Sequence, residues 1–382
     1  MKIEKIEAWY TRYQLAETWK PFWWRPDVRR SIADNTVIKI MTDDGIVGWG
    51  TSFDTSPLNK KRIIEELWPQ IEGKNPFMYE ELTNIMNSAR SKGINPWAVD
   101  LALWDIVGKA AGQPVWALLG ANSRKAIAYA SCTTNLSNEA RAESVKALIE
   151  AGWVQCKIHL GPNTPIMESL KYIQAARQAA GDRIRIAVDT HQNVESAMGK
   201  EGPPKWGREG ALFFGRQLDQ MGQILWMEDC LPRGDYIGMR QLCEALVTPV
   251  TCGGISAPLY EIDKLISTRC LDQIQPGPGV NESVWTLRKM ITLCETHYTA
   301  YSPHTWSSLD AVAGLHLGAA TPAVSSIEVH FDPPNQPMIL ANCLLKEPLK
   351  FNRIDGTLDV PMRPGWGVEI DMEQVKRYEA FN

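Results

Sequence analysis

No apolar run in this 382-residue sequence is long enough to cross a bilayer, since a spanning helix needs about 20 consecutive apolar residues. The opening residues, MKIEKIEAWY, lack the apolar core of a secretory signal. An excess of either charge is missing too. The 40 Lys+Arg stand against 44 Asp+Glu, a net charge of -4, so there is no basic footprint for nucleic acid. The eight cysteines include no CxxC pair, and some, such as Cys156 and Cys252, lie inside apolar runs. That is the pattern of reduced core thiols. These absences point to a cytoplasmic protein with neither membrane nor nucleic acid as partner. A chain of this length, 44% hydrophobic and 22% charged, can bury either two domains or a barrel with a cap. Fifteen tryptophans supply anchors for cores, interfaces or a pocket wall.

The first ~120 residues read as α+β. MKIEKIEAWY alternates like a strand. SIADNTVIKIMT and GIVGWGTS form a hairpin about Asp43-Asp44-Gly45. Helical patterns follow over 60–72 and 79–91, and 96–119 is one amphipathic stretch closed by Gly120. From Ala126 the pattern changes to alternating β and α. Eight strand-like runs are predicted: 125–131, 154–160, 185–191, 224–229, 249–253, 272–276, 297–304 and 325–330. Apolar, β-branched runs that each lead into a helix are the mark of a parallel sheet. The division is a cap over 1–124, a barrel over 125–345, and a segment over 346–382 that returns to the cap.

In such a barrel the chemistry sits where the strands end. The predicted ends carry Lys157, His159, Asp189, His191, Glu228 and Asp229. The fifth and sixth strands end at Gly254 and Gly277, which carry no charge.

On five stretches the chain resembles the enolase superfamily, within it the mandelate racemase and muconate lactonizing group. These are DDGIVGWG (43–50), DLALWDIVGKAAGQPVWALLG (100–120), KIHLG (157–161), WMEDCLP (226–232) and DGTLDVPMRPGWGVEID (355–371). The resemblance implies an α/β fold, a modified TIM barrel of (β/α)7β form with an N-terminal α+β capping domain. It also implies Mg2+-assisted removal of the proton next to a carboxylate. Carried across by position, Asp189 and Glu228 match the first two metal carboxylates. Gly254 stands where the third belongs, and Gly277 where an aspartate would support His304. Glu328 matches an acid on the eighth strand, and Lys157-Ile158-His159 a Lys-x-Lys pair. Asp189-x-His191 also occurs in some acid-sugar dehydratases of the superfamily.

The expectation is a lyase or isomerase for a small carboxylate, foremost an acid-sugar dehydratase, working as a homo-oligomer. Asp189 and Glu228 are its metal ligands. Lys157, His159, His191, His304 and Glu328 are its catalytic groups, and Trp23, Trp24 and Arg25 its substrate loop. With a ligand missing, Mg2+ binding should be weak or absent, and without an aspartate beside it the pKa of His304 should fall. The rival readings are a metal-independent enzyme on the same scaffold and a non-catalytic carboxylate-binding protein. The plainer reading of each residue stays open here: Asp189 and Glu228 as structural acids, Lys157 as the partner of Asp189, the histidines as satisfied core groups, the Phe22–Arg25 loop as a packing seam. Asp229 reads as structural, and His297, His316 and His330 have no claim on the site.

Overall fold

The computed structural model describes residues 1–19, 30–53, 56–192, 206–254, 257–306, 308–333 and 342–380. Trp23, Trp24 and Arg25 lie outside them. The chain opens with an antiparallel sheet, β1 (Ile3–Trp19), β2 (Arg30–Thr42) and β3 (Val47–Phe53), in the order β1-β2-β3. The predicted 96–119 helix is two helices, Trp97–Ala110 and Val115–Leu119. Gly112 turns the chain at φ +64, and Pro114 lacks the amide that would continue the helix.

Nor is Trp97–Ala110 amphipathic. Every residue from Trp97 to Gly108 is buried, because the helix lies between two cores. Ala98, Ala102 and Ile106 pack into the core beneath the cap sheet, Leu101, Trp104 and Val107 into the barrel core. The approach to β3 is so close that a Cβ on Gly50 would sit 1.8 Å from the Ala98 carbonyl oxygen, and one on Gly48 2.1 Å from that of Ala102. Gly48 and Gly50 of GIVGWG are therefore needed for contact rather than for a turn.

Eight parallel strands follow: β4 (Lys125–Cys132), β5 (Gln155–His159), β6 (Arg185–Asp189), β7 (Ile224–Glu228), β8 (Val250–Cys252), β9 (Gln273–Ile274), β10 (Ala300–Tyr301) and β11 (Ile327–His330). Neighbours pair in sequence from β4 to β10, and β11 returns to β4. Backbone bonds from Tyr301 N to Ala323 O and Ser325 N to Tyr301 O bring β10 to the approach of β11 and close the ring. Tyr129, Ala187 and Trp226 form a small buried cluster inside it, so the interior is packed and only the mouth can hold a ligand. The tail adds β12 (Phe351–Asn352) and β13 (Thr357–Asp359), with β13 antiparallel to β4. It then reaches the cap, where Arg12 N donates to Tyr378 O and Ala380 N to Tyr10 O. All eight cysteines are free and buried. Among the described residues no helix is long and apolar enough to cross a membrane.

Candidate active site

Parallel pairing puts the strand ends on one rim. His159 is in register with Asp189, Asp189 with Glu228, and His330 with Ser131. Lys157, His159, Asp189, His191, Glu228, His304 and Glu328 all line a single cavity of about 380 Å3. Sequence reasoning missed six other residues of its wall: Phe53 from the cap sheet, Asp229, Arg233, Val280, Trp306 and His330. His330 could have been found from alternation, since it lies two residues past Glu328 on one strand and shares its face.

Lys157 does not pair with Asp189. Its Nζ lies 3.1 Å from Glu228 Oε1 and 3.1 Å from Glu328 Oε1, all three side chains buried. Burial works against the ammonium, but the two glutamates outweigh it and hold the Lys157 pKa well above its ordinary value. Burial likewise opposes the charged form of Glu328, which Lys157 and His304 keep below the carboxylate range. Glu228 behaves differently. Burial raises it to about 8, with Asp189, Asp229 and Glu328 adding to the shift against the pull of Lys157. Trp226 Nε1 donates to its other oxygen at 2.9 Å.

Asp189 Oδ2 lies 3.2 Å from His159 Nδ1 and 3.3 Å from His191 Nε2. Burial would raise its pKa, yet His191, His159 and Lys157 together hold it far below the carboxylate range. His159 is tied on its far side to Ser131 Oγ at 3.0 Å, and burial lowers its pKa to about 4. His191 has φ +51. Its Nδ1 meets the Leu160 carbonyl at 2.9 Å while Nε2 faces Asp189. Both nitrogens thus face acceptor oxygens.

Asp229, read from the sequence as structural, lines the cavity beside Asp189 and Glu228. One of its carboxylate oxygens, one of Asp189 and one of Glu228 lie within 4.8 Å of one another. An alternating strand would turn Asp229 away from Glu228, but φ +55 swings it back to the same side. Gly253 N–H donates to Asp229 Oδ1 at 2.8 Å. A Cβ on Gly253 would stand 2.7 Å from Glu228 Oε1 and 3.0 Å from Asp229 Oδ2, so the glycine leaves the two carboxylates their space. Three carboxylates and no nitrogen or sulfur form a donor set that suits a hard cation such as Mg2+. His159, Asp189 and His191 form a second close group, whose imidazoles suit a softer metal.

Gly254 and Gly277 are joined by a residue that sequence gave no reason to single out. Asn281 Nδ2 donates to Gly254 O at 2.7 Å, and its Oδ1 accepts from Gly277 N at 3.0 Å. A Cβ on Gly277 would fall 1.6 Å from the His304 carbonyl oxygen, so backbone occupies the place of the expected aspartate. His304 has a carboxylate neighbour nonetheless, Glu328 Oε2 at 3.7 Å from its Nε2. Its pKa is lowered, burial outweighing Glu328, so the direction is as expected but burial is the larger cause. Among the described residues His304 Nδ1 has no hydrogen-bond partner.

Two family models cover most of the chain. The mandelate racemase / muconate lactonizing enzyme N-terminal domain matches residues 28–120, and the enolase C-terminal domain-like model residues 140–375. The chain belongs to the mandelate racemase/muconate lactonizing enzyme group of the enolase superfamily. It is 25% identical to a D-galactonate dehydratase family member from Oceanicola granulosus, over 90% of this chain and 91% of that one. It is 27% identical to L-talarate/galactarate dehydratase from Salmonella typhimurium, over 90% and 81%. The solved 3,6-anhydro-D-galactonate cycloisomerase from Zobellia galactanivorans superposes with a TM-score of 0.81 at 25% identity, all of both chains being covered. A Streptomyces coelicolor racemase solved with bound magnesium shares the fold, with a TM-score of 0.82 at 20% identity and coverage of 99% and 100%.

Proposed function

We propose that this member of the group is an acid-sugar dehydratase, a lyase that removes the proton α to the carboxylate of a polyhydroxy acid and expels the hydroxyl on the next carbon. One observation carries the reading: three converging carboxylates, a buried ammonium and a neutral imidazole with an unpartnered nitrogen share one cavity. Relatives named as dehydratases of galactonate, talarate/galactarate and arabinonate fit it. Asp189, Glu228 and Asp229 are the residues that would hold a divalent cation, with Asp229 standing in for the carboxylate absent at Gly254. Such a cation supplies positive charge for the substrate carboxylate and for the enediolate that forms from it.

The protein's own groups divide the remaining work. Lys157 is no base, because two glutamates hold its proton. It stays cationic and balances charge as the enediolate forms. His304, kept neutral by burial, takes the α-proton on Nδ1. His191 delivers a proton to the departing hydroxyl, so water leaves and the enol product becomes a 2-keto-3-deoxy acid. Phe53 and Trp306, with ring centroids 4.7 Å apart, put apolar surface on the cap side and keep bulk water from the reacting carbon.

The test is a panel of D-galactonate, D-arabinonate, D-xylonate and galactarate, assayed for keto-acid with Mg2+ and with chelator. At least one should be dehydrated in a Mg2+-dependent way. His304→Asn should lower kcat by roughly 10²–10⁴, and Asp229→Asn should weaken Mg2+ binding by more than about tenfold. No keto-acid from any panel member with Mg2+ present rejects the reading. Unchanged Mg2+ affinity in Asp229→Asn removes Asp229 from the ligand set.

A further inference from the structure

The steps above give His330 no task, although it lines the cavity. His330 is 2% exposed, and its Nε2 lies 3.1 Å from the Thr305 carbonyl oxygen. A carbonyl only accepts, so the hydrogen-bond pattern assigns the proton to Nε2 and the lone pair to Nδ1. That carbonyl is itself fixed. Thr305 Oγ1 donates to Glu328 O at 2.7 Å, and Thr305 N to Glu328 Oε2 at 3.3 Å. The tautomer is thus locked by the same strand that carries Glu328. Among the described residues Nδ1 has no hydrogen-bond partner, and an acceptor buried without a donor is costly unless something supplies one. Burial keeps the ring neutral, its pKa near 3, and the charged or titratable groups facing it are Glu328, His304, His159 and Lys157. The Trp306 indole stands edge-on over it, ring centroids 4.3 Å apart.

We propose that His330 is a specificity residue whose Nδ1 accepts a hydrogen bond from a hydroxyl of a polyhydroxylated acid. This rests on the dehydratase reading and deepens it. A lone pair repels a carboxylate oxygen and welcomes an O–H, so His330 orients the substrate with its hydroxylated chain toward β11 and its carboxylate toward Asp189, Glu228 and Asp229. Trp306, edge-on to the ring, offers apolar surface to the carbon chain beside that hydroxyl.

Two variants separate recognition from scaffolding. In His330→Asn the amide oxygen takes the place of Nδ1, and the tie to Thr305 is lost. In His330→Gln the amide nitrogen takes the place of Nε2, so the tie is kept and the acceptor is lost. Binding of D-galactonate, D-xylonate and their mono-deoxy forms is followed by calorimetry, with KM and kcat measured separately and thermal stability as control. His330→Gln should bind the parent acids about tenfold more weakly, mostly in KM. It should show no further loss against the one deoxy acid that lacks the recognised hydroxyl. His330→Asn should retain most of the affinity. If His330→Gln binds like wild type while His330→Asn is impaired, the residue only supports Thr305 and the inference falls. Equal binding by all three proteins also overturns it while sparing the dehydratase reading. If no panel acid binds wild type, the reading and the inference fail together.

Discussion

His316 offers a test of the fold that does not involve the active site. It lies on the helix Leu309–Ala320, fully buried. Trp116 N–H donates to its Nδ1 at 3.0 Å, and its Nε2 lies 3.0 Å from the Trp366 carbonyl oxygen. One neutral ring thus ties the end of the cap segment, a barrel helix and the tail. Burial lowers its pKa to about 3, only partly opposed by the Trp366 carbonyl. An unfolded histidine titrates near 6.5. The folded value is depressed, so the contribution to stability is complete above pH ~6.5 and is lost as pH falls toward 3. Linkage at pH 5 gives a loss of about 2 kcal/mol relative to pH 7.5 from this group alone. His316→Gln cannot titrate. It should keep the bond to Trp366 and leave the Trp116 amide without an acceptor, a pH-independent cost of about 1–3 kcal/mol. Urea denaturation of both proteins at pH 5 and 7.5 cancels the carboxylates and the other histidines. The wild type should lose about 2 kcal/mol more than the variant over that interval. Equal losses would mean that His316 protonates in place, and the neutral tie would be wrong.

Two further outcomes are expected. Gly277→Asp should lower stability by about 3 kcal/mol or more, because its Cβ collides with the His304 backbone at 1.6 Å. Gly254→Glu meets only the ends of the Asn281 and His304 side chains, at 2.9 Å and beyond, and should lose about 1 kcal/mol; equal losses in urea denaturation would refute the contrast. Arg141→Leu strands Asp332, which Arg141 binds through both amino groups at 2.7 and 3.0 Å with neither side chain exposed. A loss of about 3–5 kcal/mol is expected, and an unaffected urea midpoint would show that the pair carries no net weight.

The barrel was legible because each strand is short, apolar and followed by a helix, and parallel pairing then fixes which end carries function. Lys157, His159, Asp189 and Glu228 came from that logic. It stopped where backbone geometry departs from alternation. Asp229 follows Glu228, and an extended strand would turn it outward; its positive φ is not encoded by a glycine that one could read. The plainer alternative for Lys157, a pair with Asp189, falls because its level in the barrel is set by register, opposite Ala187 and two residues below Asp189. Asn281 bridges strand ends far apart in sequence, a contact that no local pattern announces. The 96–119 stretch failed for a different reason. A helix between two cores has no polar face, so periodicity could not say where it turned.

The two glycines first read as a site stripped of charge, and the geometry gives them another meaning. Four carboxylates, Asp189, Glu228, Asp229 and Glu328, already line the cavity, with Lys157 the one buried ammonium between two of them. A fifth and sixth carboxylate at positions 254 and 277 would add to the repulsion among these four. The strain of even four shows in Glu228, raised to about 8, and Asp229, raised to about 6 mainly by burial and Asp189. Glu228, raised by burial among these carboxylates, is the group that gains most from added positive charge. A divalent cation held by Asp189, Glu228 and Asp229 would supply that charge. On this argument the change at Gly254 shifts the third carboxylate one strand back along the rim, to Asp229, and leaves the β8–β9 side to Asn281. The room gained there lies beside His304 Nδ1, the nitrogen to which the α-proton is assigned.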